Sequence, residues 1–260
     1  MSLDFFSRMV AAGIAALLIA GISGCAGGTT HRPEPVHGDP LESLNRATHA
    51  FNEALDNRVA KPVARGYTRV VPTQVQRGVS NFFSNLGDIT ATANHLLQLR
   101  ADDASNSFLR VSFNSTFGLG GLIDVATPLD IERVPTDFGT TLGRWGVPAG
   151  PYIVLPLLGS STLGDATGRY VDWQHFAALT TVSPQRDRYA FTAADLVESR
   201  ARLFETGDLL DEAAFDKYAL MRDGYLQYRQ ARVMRARGAD EGPDNDLFNL
   251  LLDEPLWDDG

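Results

Sequence analysis

Residues 145–164 read Trp-Gly-Val-Pro-Ala-Gly-Pro-Tyr-Ile-Val-Leu-Pro-Leu-Leu-Gly-Ser-Ser-Thr-Leu-Gly, twenty consecutive residues without a charge. In a helix they would extend about 30 Å, enough to cross a bilayer. Pro148, Pro151 and Pro156, together with four glycines, cannot sit in a regular helix that is exposed to lipid. We therefore predict an irregular segment, which is either buried in protein or lies within one leaflet against helices. A hydrophobic loop in the core of a soluble protein is the alternative.

Helical spacing of apolar residues is found before this segment. Asp39-Pro40-Leu41-Glu42 is typical of a helix start, with an Asp cap and Pro at the first helical position. The helix that follows is expected to turn an apolar stripe inward, namely Leu41, Leu44, Thr48, Phe51 and Leu55. Pro62 is predicted to interrupt it, a second helix starts at Val71-Pro72-Thr73, and Gly87-Asp88 is predicted to break that one.

A further helix, opened by Asp102 and Asp103, has an unusually wide apolar arc. Its members are Phe108, Leu109, Val111, Phe113 and Phe117. An arc wider than one stripe needs a second apolar neighbour, either protein or lipid.

Helical patterns return after the uncharged segment. They cover Leu163–Ala178, then Ala193–Phe204 with Leu196, Val197, Leu203 and Phe204 inward, and finally Asp208–Arg237. No long alternating pattern of a strand and no internal repeat is found, so the fold class is predicted to be mainly α.

The N-terminus indicates where the protein resides. Residues 1–24 have a short leading region and a mostly apolar run of fourteen residues from Met9 to Ile22, as in a signal peptide. Ile22-Ser23-Gly24-Cys25 resembles a bacterial lipobox, in which the Cys is acylated and becomes the new N-terminus. Ala26 at the next position favours the outer membrane, and several acyl chains give firm anchoring. Residues 25–38 are then a flexible tether.

The formal charge of −9 is concentrated at the other end of the chain. Residues 239–260 hold eight acids and no base, so residues 39–238 form a nearly neutral helical domain followed by an acidic tail. A solvated, disordered tail is the favoured interpretation, and a partner-binding tail is the alternative. The overall charge argues against a nucleic-acid binder.

Motifs for catalysis and cofactor binding are missing from the sequence. The single Cys excludes a disulfide framework, and the zinc-binding His-Glu-x-x-His, the Gly-x-Ser-x-Gly nucleophile elbow and the phosphate-binding loop do not occur. We expect no metal, no cofactor and no enzyme activity. His49, His95 and His175 are scattered along the sequence and do not form a motif. A lipid hydrolase is the least favoured alternative, and it would have to use Ser160, Ser161 and His175.

A set of short motifs, in order from the lipobox to about Asp172, resembles the MlaA (VacJ) lipoprotein family. The motif positions are Asp39, Pro40, Asn45, Arg46, Asn81, Phe82, Gly120, Gly121, Asp124, Phe138, Gly139, Gly143, Gly146, Gly150, Pro151 and Pro156. The resemblance does not identify channel-lining side chains one by one. We expect the glycines at 118, 120, 121, 139, 143, 146 and 150 to allow tight turns.

The resemblance implies a ring-shaped bundle of amphipathic helices with glycine- and proline-rich joins, embedded in the periplasmic leaflet of the outer membrane. Such proteins surround an amphipathic channel and associate with a trimeric porin. They remove stray phospholipids from the outer leaflet and pass them to a soluble periplasmic carrier (MlaC-like), which maintains lipid asymmetry. A structural lipoprotein that only binds porins is the alternative function.

Overall fold

The structure is a computed structural model, and it describes residues 39–176, 185–204 and 216–238. Cys25, the tether and the acidic tail lie outside the described residues. The helices are α1 (Glu42–Leu55), α2 (Lys61–Val70), α3 (Thr73–Leu97), α4 (Ala101–Thr116), α5 (Phe138–Arg144), α6 (Leu163–Val171), α7 (Gln185–Arg202) and α8 (Lys217–Arg237). Two π-helical turns (Asp56–Ala60 and Asp172–Phe176), a 3-10 turn (Thr127–Leu129) and strands β1 (Tyr152–Leu155) and β2 (Gly159–Thr162) complete the list. The prediction of a mainly helical fold is confirmed.

The helices before residue 120 are more continuous than predicted. A π-helical turn joins α1 to α2, and Pro62 lies in the first turn of α2, the part of an α-helix where proline is best tolerated. The predicted break at Gly87-Asp88 is wrong, because α3 runs through both residues. The Asp88 side chain is buried there and pairs with Arg110 of α4, a contact that requires the helix to continue.

Residues 145–162 of the uncharged segment are not helical, as predicted, but they contain a short hairpin that the sequence did not indicate. Tyr152 pairs with Thr162 and Leu155 with Gly159 in antiparallel register. Each strand has four residues, too few for alternation to stand out. Tyr152 and Val154 point inward and pack with Tyr218 of α8, forming a small apolar cluster.

The helix faces are the main departure from expectation. At α1, Thr48 of the predicted inward stripe is buried, but Leu41 and Phe51 of that stripe are exposed and Asn45, outside it, is buried. On α7, Glu198 is buried while Leu196 and Leu203 are exposed. The helical spacing of 3.6 residues was predicted correctly, but in these helices polar residues, and not the apolar ones, form much of the buried face. None of the helices in the described ranges is long and apolar enough to span a membrane.

Candidate functional site

The most distinctive feature of the molecule is its polar interior. Among the described residues, nineteen buried side chains are polar or charged and nine are apolar, five of these nine being alanines. Conversely, thirty large apolar side chains in the described ranges are exposed, including Val70 at 81% and Leu99 at 87%. Soluble proteins show the opposite distribution. Four hydrogen-bonded networks organise this interior.

The first network joins α8 to the N-termini of α5 and α6. Asp137 caps α5 by accepting from Thr140 N at 2.7 Å, and it binds Arg229 at 2.8 Å and Arg232 at 2.9 Å. Arg229 also pairs with Asp165, which accepts from the Tyr225 hydroxyl. Burial alone would raise the pKa of Asp137, but the two guanidiniums outweigh it and hold that pKa well below its usual range. Charge pairing therefore fixes three helices around one partly buried carboxylate.

Two glycines allow the close approach that this network needs. A Cβ on Gly139 would lie 2.6 Å from Asp165 Oδ1, and one on Gly168 would lie 2.3 Å from the main-chain nitrogen of Gly139. Gly143 similarly faces Val233, at 2.6 Å. Gly139 and Gly143 thus serve helix packing inside α5 rather than the tight turn expected for them. The turn role fits Gly146 and Gly150, whose φ values are +89° and +73°.

The second network lies between α3, α4 and the connection that follows. Arg110 is 4% exposed and binds Asp88 at 3.3 Å and Asp124 at 2.8 Å, while Arg133 reaches Asp88 at 3.0 Å. Burial opposes ionisation of Asp124, but the Thr127 hydroxyl and amide together with Arg110 lower its pKa. The connection between α4 and α5 is therefore tied to the helix pair through charges.

Backbone turns in this connection depend on the family-motif glycines. Gly120 and Gly121 have φ values of +72° and +93°, and a Cβ on Gly121 would meet Asn85 at 2.6 Å. Asn81 donates to Leu122 O at 3.2 Å. These three motif residues are thus brought together at one turn.

The third network is built on the last turns of α3. Asn94 and Gln98 bind Thr141 of α5 at 2.8 and 2.9 Å, and Asn94 also donates to Asp172 at 2.8 Å. His95 is 1% exposed and contacts Val134 O through Nε2 at 2.9 Å. Burial lowers the pKa of His95 and raises that of Asp172.

The fourth network uses asparagines to complete the edge of strand β1. Asn45 donates to Tyr152 O at 3.0 Å and accepts from Val154 N at 2.8 Å. Asn52, two helical turns later, does the same for Leu155 O and Leu157 N at 2.9 and 2.8 Å. Helix α1 therefore substitutes for a third strand. Asp39 supports Asn45 at 2.9 Å.

The remaining motif residues lie at the margins of these networks. Arg46 is half-exposed, pairs with Asp216 at 2.7 Å and lies 4.4 Å above the Tyr218 ring. Phe82 contacts Phe191, and Phe138 contacts Trp145 edge-on. Pro151 accepts from Leu163 N at 3.1 Å, and Pro40 and Pro156 are exposed.

Sequence reasoning missed Asp88, Arg110 and Arg229. A signal for Arg110 was present, because Ser107, Arg110 and Asn114 recur at helical spacing between the apolar residues of α4. Treating the apolar arc as the inward face hid this polar stripe.

The described residues contain neither a candidate metal site nor a catalytic triad. No group of three or more His, Cys, Asp or Glu side chains in them could hold a metal ion. Ser160 Oγ shares a 2.9 Å hydrogen bond with the Tyr152 hydroxyl, and Ser161 Oγ donates to Thr162 O at 3.1 Å. Neither serine contacts a base there, and the side chain of His175 lies outside the described part.

A polar, hydrogen-bonded interior beneath an apolar surface defines a class of helical protein suited to contact with lipid. Residues 37–232 match the family described as MlaA lipoprotein, and the chain belongs to this family.

Named relatives and a solved structure agree with this assignment. The intermembrane phospholipid transport system lipoprotein MlaA of Escherichia coli (strain K12) is 35% identical over 208 residues, covering 78% of this chain and 81% of the relative. Its counterpart in Haemophilus influenzae is 32% identical over 231 residues, covering 85% and 89%. A structure from work on the structural basis for maintenance of bacterial outer membrane lipid asymmetry is 33% identical. It has a TM-score of 0.68 and covers 76% of this chain and all of that one.

Proposed function

We propose that this chain is the outer-membrane lipoprotein of an intermembrane phospholipid transport system. It removes mislocalised phospholipids from the outer leaflet through an amphipathic channel and passes them to a periplasmic carrier. It moves lipids without making or breaking their bonds. The named relatives support this proposal, since they are intermembrane phospholipid transport lipoproteins.

The inverted distribution of polarity is the observation that carries the proposal. Exposing two acyl chains of about sixteen carbons to water costs roughly 25 kcal/mol at about 0.8 kcal/mol per CH₂, so a lipid needs a shielded route. A headgroup also resists apolar surroundings, so the route must offer polar groups. A protein with buried charges such as Asp165 and Arg229, and exposed side chains such as Phe108 and Phe117, offers both environments.

The chain is anchored and embedded in the periplasmic leaflet. Residues 1–24 are removed as a signal peptide, Cys25 carries the lipid, and residues 25–38 tether the ring-shaped domain of residues 39–238. Two exposed apolar residues of the uncharged segment, Leu157 and Leu158, contact acyl chains. A trimeric porin is the partner within the outer membrane, and a soluble MlaC-like protein is the carrier.

Surface labelling of outer-leaflet phospholipid tests the transport function. We expect labelled phospholipid to rise in cells that lack this protein and in cells that carry Cys25→Ala, while wild type expressed in the deletion strain restores the low level. An unchanged level in the deletion strain would contradict the proposal and favour a structural porin-binding lipoprotein. A rise in the deletion strain alone would contradict only the role of the lipid anchor.

Cysteine accessibility tests the embedding separately. Leu158→Cys should resist a membrane-impermeant thiol reagent in permeabilised cells, because the side chain lies among acyl chains. Asp102→Cys is the matched control, since an exposed carboxylate position at the start of α4 remains in water. Equal labelling at the two positions would contradict the embedding.

A further inference from the structure

Three stretches of chain meet where helix α8 ends. Arg100, after α3, donates to Arg235 O of α8, and Arg144, at the end of α5, donates to Ala236 O. In return Arg237 donates to Gly143 O at 2.6 Å. Trp145 Nε1 links the same region to Leu97 O at 3.2 Å. Residues 96–100, 143–147 and 233–238 therefore form one surface, called here the α8-end surface.

The α8-end surface combines exposed apolar groups with positive charge. Its exposed apolar side chains are Leu96, Leu99, Trp145, Val147 and Met234. Two of its four arginines have carboxylate partners, Arg100 with Asp103 and Arg235 with Glu132. Within the described part of the chain, Arg144 and Arg237 contact only main-chain carbonyl oxygens. Among the described residues, neither of these two guanidinium groups has a carboxylate partner.

After the α8-end surface, the chain continues into a segment whose negative charge and apolar residues complement that surface. Gly238 ends α8 with φ +78° and donates its N–H to Arg235 O at 3.0 Å. Residues 239–260 have eight acids and no base, and their large apolar residues are Leu247, Phe248, Leu250, Leu251, Leu252, Leu256 and Trp257. The family match ends at residue 232, so this segment lies beyond the part shared with the family.

Length and tethering favour this segment as the occupant of the surface. Leu247 is the ninth residue after Gly238, and at about 3.3 Å per residue this length of chain reaches about 30 Å. A tethered segment has an effective concentration on the order of millimolar, whereas a second copy must be supplied from solution. The charge of residues 239–260 by itself favoured a solvated tail. The seven large apolar residues among the acids favour a tail that is bound to the α8-end surface.

We propose that residues 244–259 bind in cis to the α8-end surface. The apolar side chains of the segment cover Trp145, Val147 and their apolar neighbours, and its carboxylates pair with Arg144 and Arg237. The segment is thereby an intramolecular cover for an apolar surface at the end of the helical domain. This inference does not depend on the transport function.

Hydrogen exchange of the full-length protein in detergent micelles tests the docking. If about nine-tenths of the molecules are docked, amides in the α8-end surface exchange about tenfold more slowly than in an undocked form. We expect the double variant Phe248→Ser/Trp257→Ser, which leaves the helical domain intact, to lose that tenfold protection. The variant Arg144→Gln/Arg237→Gln should lose it as well. Arg65→Gln/Arg69→Gln, on the exposed side of α2, is the matched charge control and should keep it.

Equal exchange in wild type and in the Phe248→Ser/Trp257→Ser variant would overturn the proposal. A lipid or detergent cover would give this result, because it does not depend on the tail. A disulfide between engineered Val147→Cys and Leu250→Cys distinguishes cis from trans docking. A monomeric crosslinked product supports the proposal, whereas a crosslinked dimer on a non-reducing gel would overturn it.

Discussion

The two sides of helix α4 reverse the arrangement found on a helix at the surface of a water-soluble protein. Ser107, Arg110 and Asn114 are buried, whereas Phe108 and Phe117 are 60% and 68% exposed. Burying polar groups is unfavourable unless they are hydrogen-bonded, and here Arg110 has three side-chain partners and a carbonyl. Directional polar contacts therefore hold the interior together, whereas the outer surface needs apolar side chains but no particular contacts between them.

Interior and surface should therefore respond differently to the same kind of substitution. A hydrogen bond or ion pair inside the protein has few alternative geometries, and its loss leaves a partner buried and unsatisfied. An equivalent group on the surface has other contacts available. Four substitutions in the interior test this difference between interior and surface. Three of them are compared with a control substitution at or near the surface.

Arg229→Met should have the largest effect on stability. It leaves Asp137 and Asp165 without their shared guanidinium, and breaking a buried ion pair from one side costs about 3–5 kcal/mol. Chemical denaturation of the detergent-solubilised protein measures this loss. Arg46→Met is the control, because its pairs with Glu42 and Asp216 are partly exposed and should contribute about 0–1 kcal/mol. Comparable losses for both variants would break the contrast.

Asn45→Ala should be the next most destabilising. It removes partners from the buried Tyr152 carbonyl and Val154 amide, and each unsatisfied group costs about 1–3 kcal/mol. We expect a total loss of about 2–4 kcal/mol in the same denaturation experiment, together with faster hydrogen exchange in β1. Asn57→Ala, at an exposed position of the π-helical turn, should change stability by less than about 0.5 kcal/mol.

Gly168→Ala tests the close packing of α5 against α6. The added methyl group would lie 2.3 Å from Gly139 N and 2.7 Å from Gly139 Cα, so backbone must move, and overpacking of this kind costs about 1–3 kcal/mol. Gly224→Ala is the control, because nothing lies within 4 Å of its Cβ position in helix α8. That variant should gain about 0.5–1 kcal/mol from helix propensity. A stable Gly168→Ala protein would show that the two helices are not packed this closely.

The sequence predicted the helices well because local spacing determines them. The starts of α3 and α4 and the non-helical character of residues 145–151 follow from proline, glycine and aspartate positions. The identity of the buried face does not follow, because the same 3.6-residue period fits either side of a helix. Whether Leu41 or Asn45 faces inward depends on whether water or lipid surrounds the protein, and the spacing does not contain that information.

The buried networks were less predictable for a different reason. Arg229 meets Asp165 across 64 residues of sequence, and Asn45 meets Val154 across 109. No local pattern connects such pairs. The resemblance did select Asn45 and Gly139 as important positions, but the structure supplies the physical reason in each case, a strand-edge partner and a helix contact.

The smallest expected effect is a dependence of stability on pH that His95 contributes. Burial lowers the pKa of His95 below its ordinary value of 6.5, so the unfolded chain binds a proton more readily than the folded one. This contribution to stability is fully present above pH 6.5 and is lost as the pH falls through the lowered folded-state pKa. Wild-type stability should therefore fall more steeply on acidification than that of His95→Gln, whose side chain cannot charge and can still donate to Val134 O.

Other buried groups titrate in the opposite direction, which is why the comparison uses two proteins at each pH. Burial raises the pKa values of Asp172 and Glu198, so their contributions are present at low pH and are lost as the pH rises. Both groups are unchanged in His95→Gln, so the difference in unfolding free energy between the two proteins isolates His95. If the difference in unfolding free energy stays constant from pH 7.5 to below pH 6, folding does not lower the pKa of His95. The interior would then be wetter near α5 than the hydrogen-bonded network around Asn94 and Thr141 implies.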